Sequence, residues 1–321
     1  MNTLLSFIIP VKDEEDSLAE LADRIVQTVL TSCPDHGFEL VFVDDGSTDR
    51  SWAVIRTISQ SYPGCVQAFR FRRNLGKALA LQAGFQCCRG DIVFTMDADL
   101  QDDPKEIPRF MAKLNDGYDL VSGWKKTRND PLSKTLPSRL FNSVTAKVTG
   151  VRLKDFNCGF KCYRREVVEN LFLYGELHRY IPVLAADLGY RVGEISVEHH
   201  PRLYGRSKYG WERYARGFID LVTVMATTRW VNKPGHLFGG AGLVLGVVGG
   251  VSLSYLLVLW LLGERPIGSR PLLTFGVLTT IASLQMISLG IVTEFFIKQQ
   301  GRDCLEKYVS EQLSSDQDEA A

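Results

Sequence analysis

An α/β fold is predicted for the first two-thirds of this 321-residue chain, and three observations predict it. Short apolar runs alternate with amphipathic stretches of helical period. Acidic clusters follow several of the apolar runs. The alternation then gives way to two long uncharged segments in the last third. Regular strand–helix alternation implies a mostly parallel sheet covered by helices on both faces.

The elements follow in order. Leu5–Pro10 is the first expected strand, and Asp16–Thr31 a helix with Leu18, Leu21, Ile25 and Val29 on one face. Leu40–Val43 is a strand running into Asp44-Asp45-Gly46-Ser47. Asp49–Tyr62 is a helix with Asp49 as its N-cap. Val66–Phe71, Asp91–Met96 and Leu120–Gly123 read as strands, and Gly76–Cys88 and Pro104–Asn115 as helices. Two basic amphipathic segments come next. Leu132–Val148 spaces Leu136, Leu140, Val144 and Val148 as a helix would; Trp211–Trp230 does the same with Tyr214, Phe218, Leu221 and Met225. An apolar stripe with basic flanks and tryptophan suits a bilayer surface. Packing against the sheet or a second subunit is the competing reading.

No Asp, Glu, Lys or Arg occurs from Pro234 to Gly263 or from Pro271 to Thr293. Each run exceeds the ~20 apolar residues that cross a bilayer, so spans are expected over 236–262 and 271–297. The loop between them carries only Arg265 and Arg270 as cations. The flanks carry more: Arg213, Arg216, Arg229 and Lys233 before, Lys298, Arg302 and Lys307 after. The positive-inside rule places the N-terminal domain and both termini in the cytoplasm. No signal peptide is read at Phe7-Ile8-Ile9, which is too short and precedes charges. The expected organisation is a domain over 1–209 that includes an interfacial helix at 132–149, an interfacial helix at 210–233, a membrane hairpin at 234–298 and a polar tail at 299–321. Glycines of the first span, such as Gly242, Gly246 and Gly249, favour helix association and a homo-oligomer.

Composition excludes some classes. Lys plus Arg and Asp plus Glu number 37 each, so no charge excess points to nucleic acid. The seven cysteines lack zinc-finger spacing and read as reduced packing residues. No GxGxxG follows the first strand and no GxxxxGK[ST] is present, which counts against a dinucleotide dehydrogenase and a P-loop NTPase.

The chemistry concentrates at strand ends. Asp97-Ala98-Asp99 ends the run Ile92–Met96, and strand alternation would turn both carboxylates to one side. Paired hard-oxygen ligands suit Mg2+ or Mn2+, which complete their shell with substrate phosphates; a solvated acidic turn is the plainer alternative. Lys12–Glu15 and Asp44–Ser47 bring further acids to the same edge, where open α/β sheets bind ligands. Such negative charge repels itself unless it meets cations or donors, and a sugar nucleotide with a divalent metal supplies both. Arg202, Arg206 and Lys208, beside Gly205 and Gly210, suit a loop closing over a diphosphate. A basic membrane-surface patch is the other reading.

Pro10–Glu14, Asp44–Ser47, Asn74-Leu75-Gly76-Lys77 and Asp97–Pro104 together resemble the inverting family 2 glycosyltransferases of GT-A fold. Asp155–Lys161, Arg202–Tyr209 and the terminal spans resemble their polyprenyl-phosphate branch. The resemblance implies a nucleotide-sugar donor, a polyprenyl-phosphate acceptor, Mg2+ or Mn2+, and a bacterial inner membrane, with glucose from UDP-glucose the expected transfer and mannose or another sugar from a GDP- or UDP-sugar the alternative. It implies that Pro10, Val11 and Glu14 line the nucleoside pocket and that Asp44 meets the base; a turn residue before Gly46 is the plainer reading of Asp44, though Asp45 or Ser47 would suffice for that turn. Asp97 and Ala98 would lie by the ribose or donor sugar, and Asp99 and Gln101 would hold the metal. Lys77 would approach the donor or stand as an ordinary solvated lysine. Arg139 would grip the acceptor phosphate or face lipid. Asp155 would orient the acceptor, act as base or cap a turn. A processive polysaccharide synthase would carry QxxRW, of which Arg229-Trp230 keeps only the end. A non-catalytic nucleotide-binding scaffold would have no need of the acidic and basic clusters.

Overall fold

Phe7, Ile8 and Ile9 are buried completely, as a strand covered on both faces requires, and Leu4–Val11 forms the central strand β1. A computed structural model of the chain describes residues 3–126, 142–147, 149–198, 200, 234–264 and 266–300. The chain divides into two compact units, Met1–Val224 and Met225–Ala321. In the first, β1 is followed by α1 (Leu18–Ser32), β2 (Gly37–Asp44), α2 (Ser51–Ser61), β3 (Val66–Arg70), α3 (Lys77–Cys87) and β4 (Ile92–Thr95). Then come α4 (Ile107–Asn115), β5 (Leu120–Lys125), β6 (Lys161–Arg164) and β7 (Val192–Val197). Short helices Arg165–Asn170 and Ile181–Asp187 and a 3-10 turn, Leu177–Arg179, link β6 to β7.

The seven strands lie in the order β3-β2-β1-β4-β6-β5-β7. β1 pairs parallel with β2 and β4, β2 with β3, and β5 with β7. β6 runs antiparallel to both β4 and β5, so one reversed strand interrupts the expected parallel sheet. The chain moves from β1 outward to β2 and β3, then returns to β4 on the other side of β1. The switch point of the sheet, where such folds bind ligands, therefore lies between the ends of β1 and β4.

The predicted face of α1 is buried without exception at Leu18, Leu21, Ile25 and Val29. Phe7 stacks on Phe94 at 5.1 Å, and Phe110 of α4 lies 4.4 Å from Phe160. Gly84 lets α3 lie close on β1, since a Cβ there would collide with Ile8 Cγ2. Helix α2 starts at Ser51 rather than Asp49. The Asp49 carboxylate still accepts the Ser51 N–H at 2.9 Å, so it caps from one position further out. The six described cysteines are free.

In the second unit, helices Pro234–Leu261 and Pro271–Gln300 pack on each other. Their segments Phe238–Leu261 and Pro271–Thr293 have mean hydropathies of 2.2 and 1.8 and are only 17% buried. Leu243, Val247, Val251, Leu278 and Ile291 face outward. A soluble core helix would hide such side chains; these helices are long and apolar enough to cross a membrane. Small residues bring them together. Ser283 Oγ donates to the Gly242 carbonyl at 2.6 Å, and a Cβ on Gly249 would lie 2.5 Å from Thr280 Oγ1. Of the expected interfacial segments, 142–147 is helical; Trp211–Trp230 and the tail 301–321 lie outside the described residues.

Candidate active site

Three loops, after β1, β2 and β3, are laced into one rim. Lys12 Nζ donates to the Gly46 carbonyl at 2.7 Å, the Asp13 N–H to Ser47 Oγ at 3.0 Å, and the Glu14 N–H to Ser51 Oγ at 2.9 Å. Asp13 adopts a φ of 52°, a strained value for a non-glycine residue that clusters at functional sites. Pro10 is half-buried and Val11 buried, and the Val11 carbonyl accepts the Asp45 N–H at 2.8 Å.

The acidic pair at the end of β2 divides its work differently from the sequence expectation. Asp44 is fully buried; its Oδ1 accepts the Ser47 N–H at 2.7 Å, and its Oδ2 lies 3.1 Å from Arg70 Nε. Asp44 therefore closes the turn before Gly46, the plainer of its two readings. Asp45 instead pins the loop before α3, accepting from the Leu75 N–H at 2.6 Å and the Gly76 N–H at 3.0 Å. Burial raises the Asp45 carboxyl above its ordinary range, partly offset by those two donors and by Lys12. Gly46 is needed here: its φ is 66°, and a Cβ would lie 2.6 Å from the Arg73 carbonyl carbon.

Strand β4 ends at Thr95, so Asp97 and Asp99 lie in a turn and strand alternation does not place them. The turn itself does, through Leu100, buried with a φ of 58°. Asp97 is paired with Lys77, the first residue of α3. In that pair the Lys77 side chain is 27% exposed. Burial alone would raise the Asp97 carboxyl, but Lys77, with the Lys125 and Lys161 charges, holds it well below the usual carboxylate range. Asp99 is 8% exposed, and its Oδ1 accepts the Gln101 N–H at 3.3 Å. Asp102 is 1% exposed and faces Lys125 Nζ at 3.2 Å, with neither oxygen in an aligned hydrogen bond. Asp155 is fully buried, and its Oδ1 accepts the Asn157 N–H at 3.1 Å, the bond of a local turn. Arg139, Arg202, Arg206 and Lys208 lie outside the described residues.

Topology adds residues to which the sequence had assigned no role, among them Lys161 at the end of the Asp155–Lys161 motif. Lys125 closes β5 and Lys161 opens β6, both at the edge where Asp97 sits. His178 lies in the same field of charge. Its Nδ1 is buried without a hydrogen-bond partner among the described residues. Burial, then the Lys77, Arg179 and Lys161 charges, keep the ring neutral by driving its pKa well below the ordinary value. Beyond β7, His200 Nε2 stands 3.3 Å from Asp103 Oδ2, and Glu198 completes a group whose ligand atoms all lie within 4.8 Å of one another. The His200 N–H donates to the Gln101 carbonyl at 2.9 Å, which places this group beside the expected metal loop.

The switch point thus holds paired aspartates on a turn with a lysine against one of them, at the edge where open α/β sheets bind ligands. Residues 6–172 match glycosyl transferase family 2, and the chain belongs to that family. A dodecaprenyl-phosphate galacturonate synthase from Rhizobium johnstonii is 38% identical, over 98% of this chain and 94% of its own length. An undecaprenyl-phosphate 4-deoxy-4-formamido-L-arabinose transferase from Pseudomonas aeruginosa is 37% identical, over 91% and 84%. Among solved structures, glucosyl-3-phosphoglycerate synthase from Mycobacterium tuberculosis, in complex with Mn2+, uridine diphosphate and phosphoglyceric acid, superposes with a TM-score of 0.54 at 17% identity, over 70% of this chain and 78% of that one. The fold is thus GT-A, as the sequence motifs implied.

Proposed function

We propose that this chain is an inverting glycosyltransferase that moves a sugar from a UDP-sugar to polyprenyl phosphate at the cytoplasmic face of a bacterial inner membrane. The observation that carries the reading is the Asp97–Asp99 turn at the switch point, with Lys77 against it. Relatives named for polyprenyl-phosphate sugar transfer, matched along almost the whole chain, support the acceptor, and the two apolar helices support the membrane.

In this reading Pro10, Val11 and Glu14 line the nucleoside pocket beside Asp44. Asp97 and Ala98 lie by the ribose or donor sugar. Arg202, Arg206 and Lys208 meet the diphosphate, and Arg139 meets the acceptor phosphate. The donor set fits a hard divalent ion: Asp99 and Gln101 offer oxygens on one short turn, held in place by the buried Asp102–Lys125 pair. Bound there, Mg2+ or Mn2+ would neutralise charge on the departing diphosphate. A second reading puts the ion on Asp103, Glu198 and His200, on the strength of their mutual spacing. The acceptor phosphate, with a second pKa of about 6, is largely ionised at neutral pH and needs no strong base. Its oxygen attacks the anomeric carbon, and the bond electrons leave with UDP. Asp155, buried with its Oδ1 on the Asn157 N–H, orients the acceptor or acts as base, with the local turn as the alternative role.

Glucose is the sugar expected from the sequence. Galacturonate is the second reading, favoured by the 38% identity to the galacturonate synthase. Purified full-length protein, undecaprenyl phosphate and Mg2+ or Mn2+ would be incubated with labelled UDP-glucose, UDP-galacturonate, UDP-4-deoxy-4-formamido-L-arabinose and GDP-mannose. Label should enter lipid from one donor and vanish with Asp99→Ala. If Asp99→Ala is fully active and His200→Ala inactive, the metal belongs to the second group. No transfer from any donor by a protein that binds UDP would leave a nucleotide-binding scaffold.

A further inference from the structure

The reversed strand β6 starts where the parallel strands end, and its first residue is a lysine that is 3% exposed. Burying an ammonium costs several kcal/mol unless charge and hydrogen bonds compensate. Lys161 stands opposite Thr95 of β4 and Ser122 of β5, and Nζ donates to the Cys158 carbonyl. That bond closes the turn Cys158–Lys161. The Gly159 carbonyl of the same turn accepts from Thr95 Oγ1 at 2.8 Å, and Thr95 is in turn 3.2 Å from the Tyr163 hydroxyl. The face of Gly159 is occupied by Asp97: a Cβ there would lie 2.5 Å from Asp97 Oδ2 and 2.6 Å from its Cγ. The Asp97 carboxylate thus rests on bare backbone, in a turn that a buried lysine ties shut.

We infer that Lys161 is a positioning residue of the donor site: it fixes the Cys158–Lys161 turn as the seat of Asp97 and sets its amino group behind that turn. Lys77 pairs with Asp97 directly from α3, while Lys161 reaches it through the turn that its own hydrogen bond to the Cys158 carbonyl closes. The inference rests on the donor-site reading of Asp97. Burial, with the Lys77 charge, holds the Lys161 pKa below its ordinary value, and Cys158, Asp155 and Asp97 oppose this only in part.

The test is a double-mutant cycle on UDP affinity, measured by calorimetry with Mn2+ on the full-length protein in detergent. Lys161→Met keeps the stem and removes the amino group. If Lys161 acts through Asp97, Lys161→Met and Asp97→Asn each weaken UDP by about tenfold, and the double variant is no weaker than Asp97→Asn alone to within about threefold. Lys161→Arg should recover part of the affinity. Losses that multiply in the double variant, or a Lys161→Met protein within about twofold of wild type, would overturn the inference. Should Lys161→Met fail to fold, Gly159→Ala replaces it in the same cycle, because its methyl displaces the carboxylate directly. Failure of the wild type to bind UDP would instead remove the donor-site reading itself.

Discussion

At the scale of single residues, the site works by giving each charge one opposite charge or one turn to hold. Lys77 is the clearest case, since it heads α3 behind Gly76 and meets Asp97 across the crevice. Lys77→Met should lower kcat/KM for the donor by about tenfold to a hundredfold while leaving the melting temperature nearly unchanged. Steady-state kinetics with a melt on the same preparation checks both halves. Gly46 should behave in the opposite sense. With a φ of 66° and the Arg73 backbone 2.6 Å from a Cβ, Gly46→Ala must move the loop. A loss of about 1–3 kcal/mol of stability together with weaker UDP binding is expected; an Ala variant with wild-type melting would contradict it. The acids of this site were legible because Asp97, Asp99, Asp44 and Asp45 stand together in the chain. Lys125, His178 and His200 were not, because nothing in their own neighbourhoods distinguishes them, and Lys161 was legible only as the end of the Asp155–Lys161 motif, without a role. They enter only when β5, β6 and the segment around β7 are folded to one edge.

Among elements, the first five strands and four helices could be read from periodicity alone, as the fully buried face of α1 illustrates. The strands β6 and β7 could not. β6 is four residues long and has Lys161 and Arg164 at its two ends, so its sequence lacks the apolar run that marks a buried strand. β7 interleaves Gly193, Glu194 and Ser196 with its apolar residues. The Glu194 carboxylate is spent on the Lys154 and Asp155 N–H groups, at 2.8 and 3.0 Å. Both strands are specified by partners rather than by their own composition. Close approach of α3 to β1 belongs to the same scale. Gly84→Ala should cost about 1–3 kcal/mol through overpacking against Ile8, seen as a lower melting temperature with the UDP affinity of the surviving folded fraction unchanged.

Over the whole molecule, stability and chemistry occupy opposite edges of one sheet. Glu39, 1% exposed near the start of β2, accepts from Ser6 Oγ at 2.6 Å, the Arg89 N–H at 2.6 Å, Arg89 Nε at 2.8 Å and Gln67 Nε2 at 2.9 Å. Burial would raise its carboxyl, but these donors hold it below the ordinary value. Its contribution to stability is therefore complete above the unfolded pKa of about 4.3 and is lost as pH falls through the lower folded value. Glu39→Gln should cost about 1–3 kcal/mol at neutral pH and flatten the acid side of a melting-temperature profile, with donor kinetics unaffected. The opposite edge has a different freedom. Strand β5 finishes there and the reversed β6 begins there, so residues 126–160 depart from and return to the same side of the sheet. Phe156–Lys161 is tied to the core and to the seat of Asp97, but the ladder of seven strands does not depend on how long the stretch 126–153 before it is or what it contains. A lineage of such enzymes is free to exchange it as a cassette, refitting the chain to a new acceptor while the donor machinery is inherited intact.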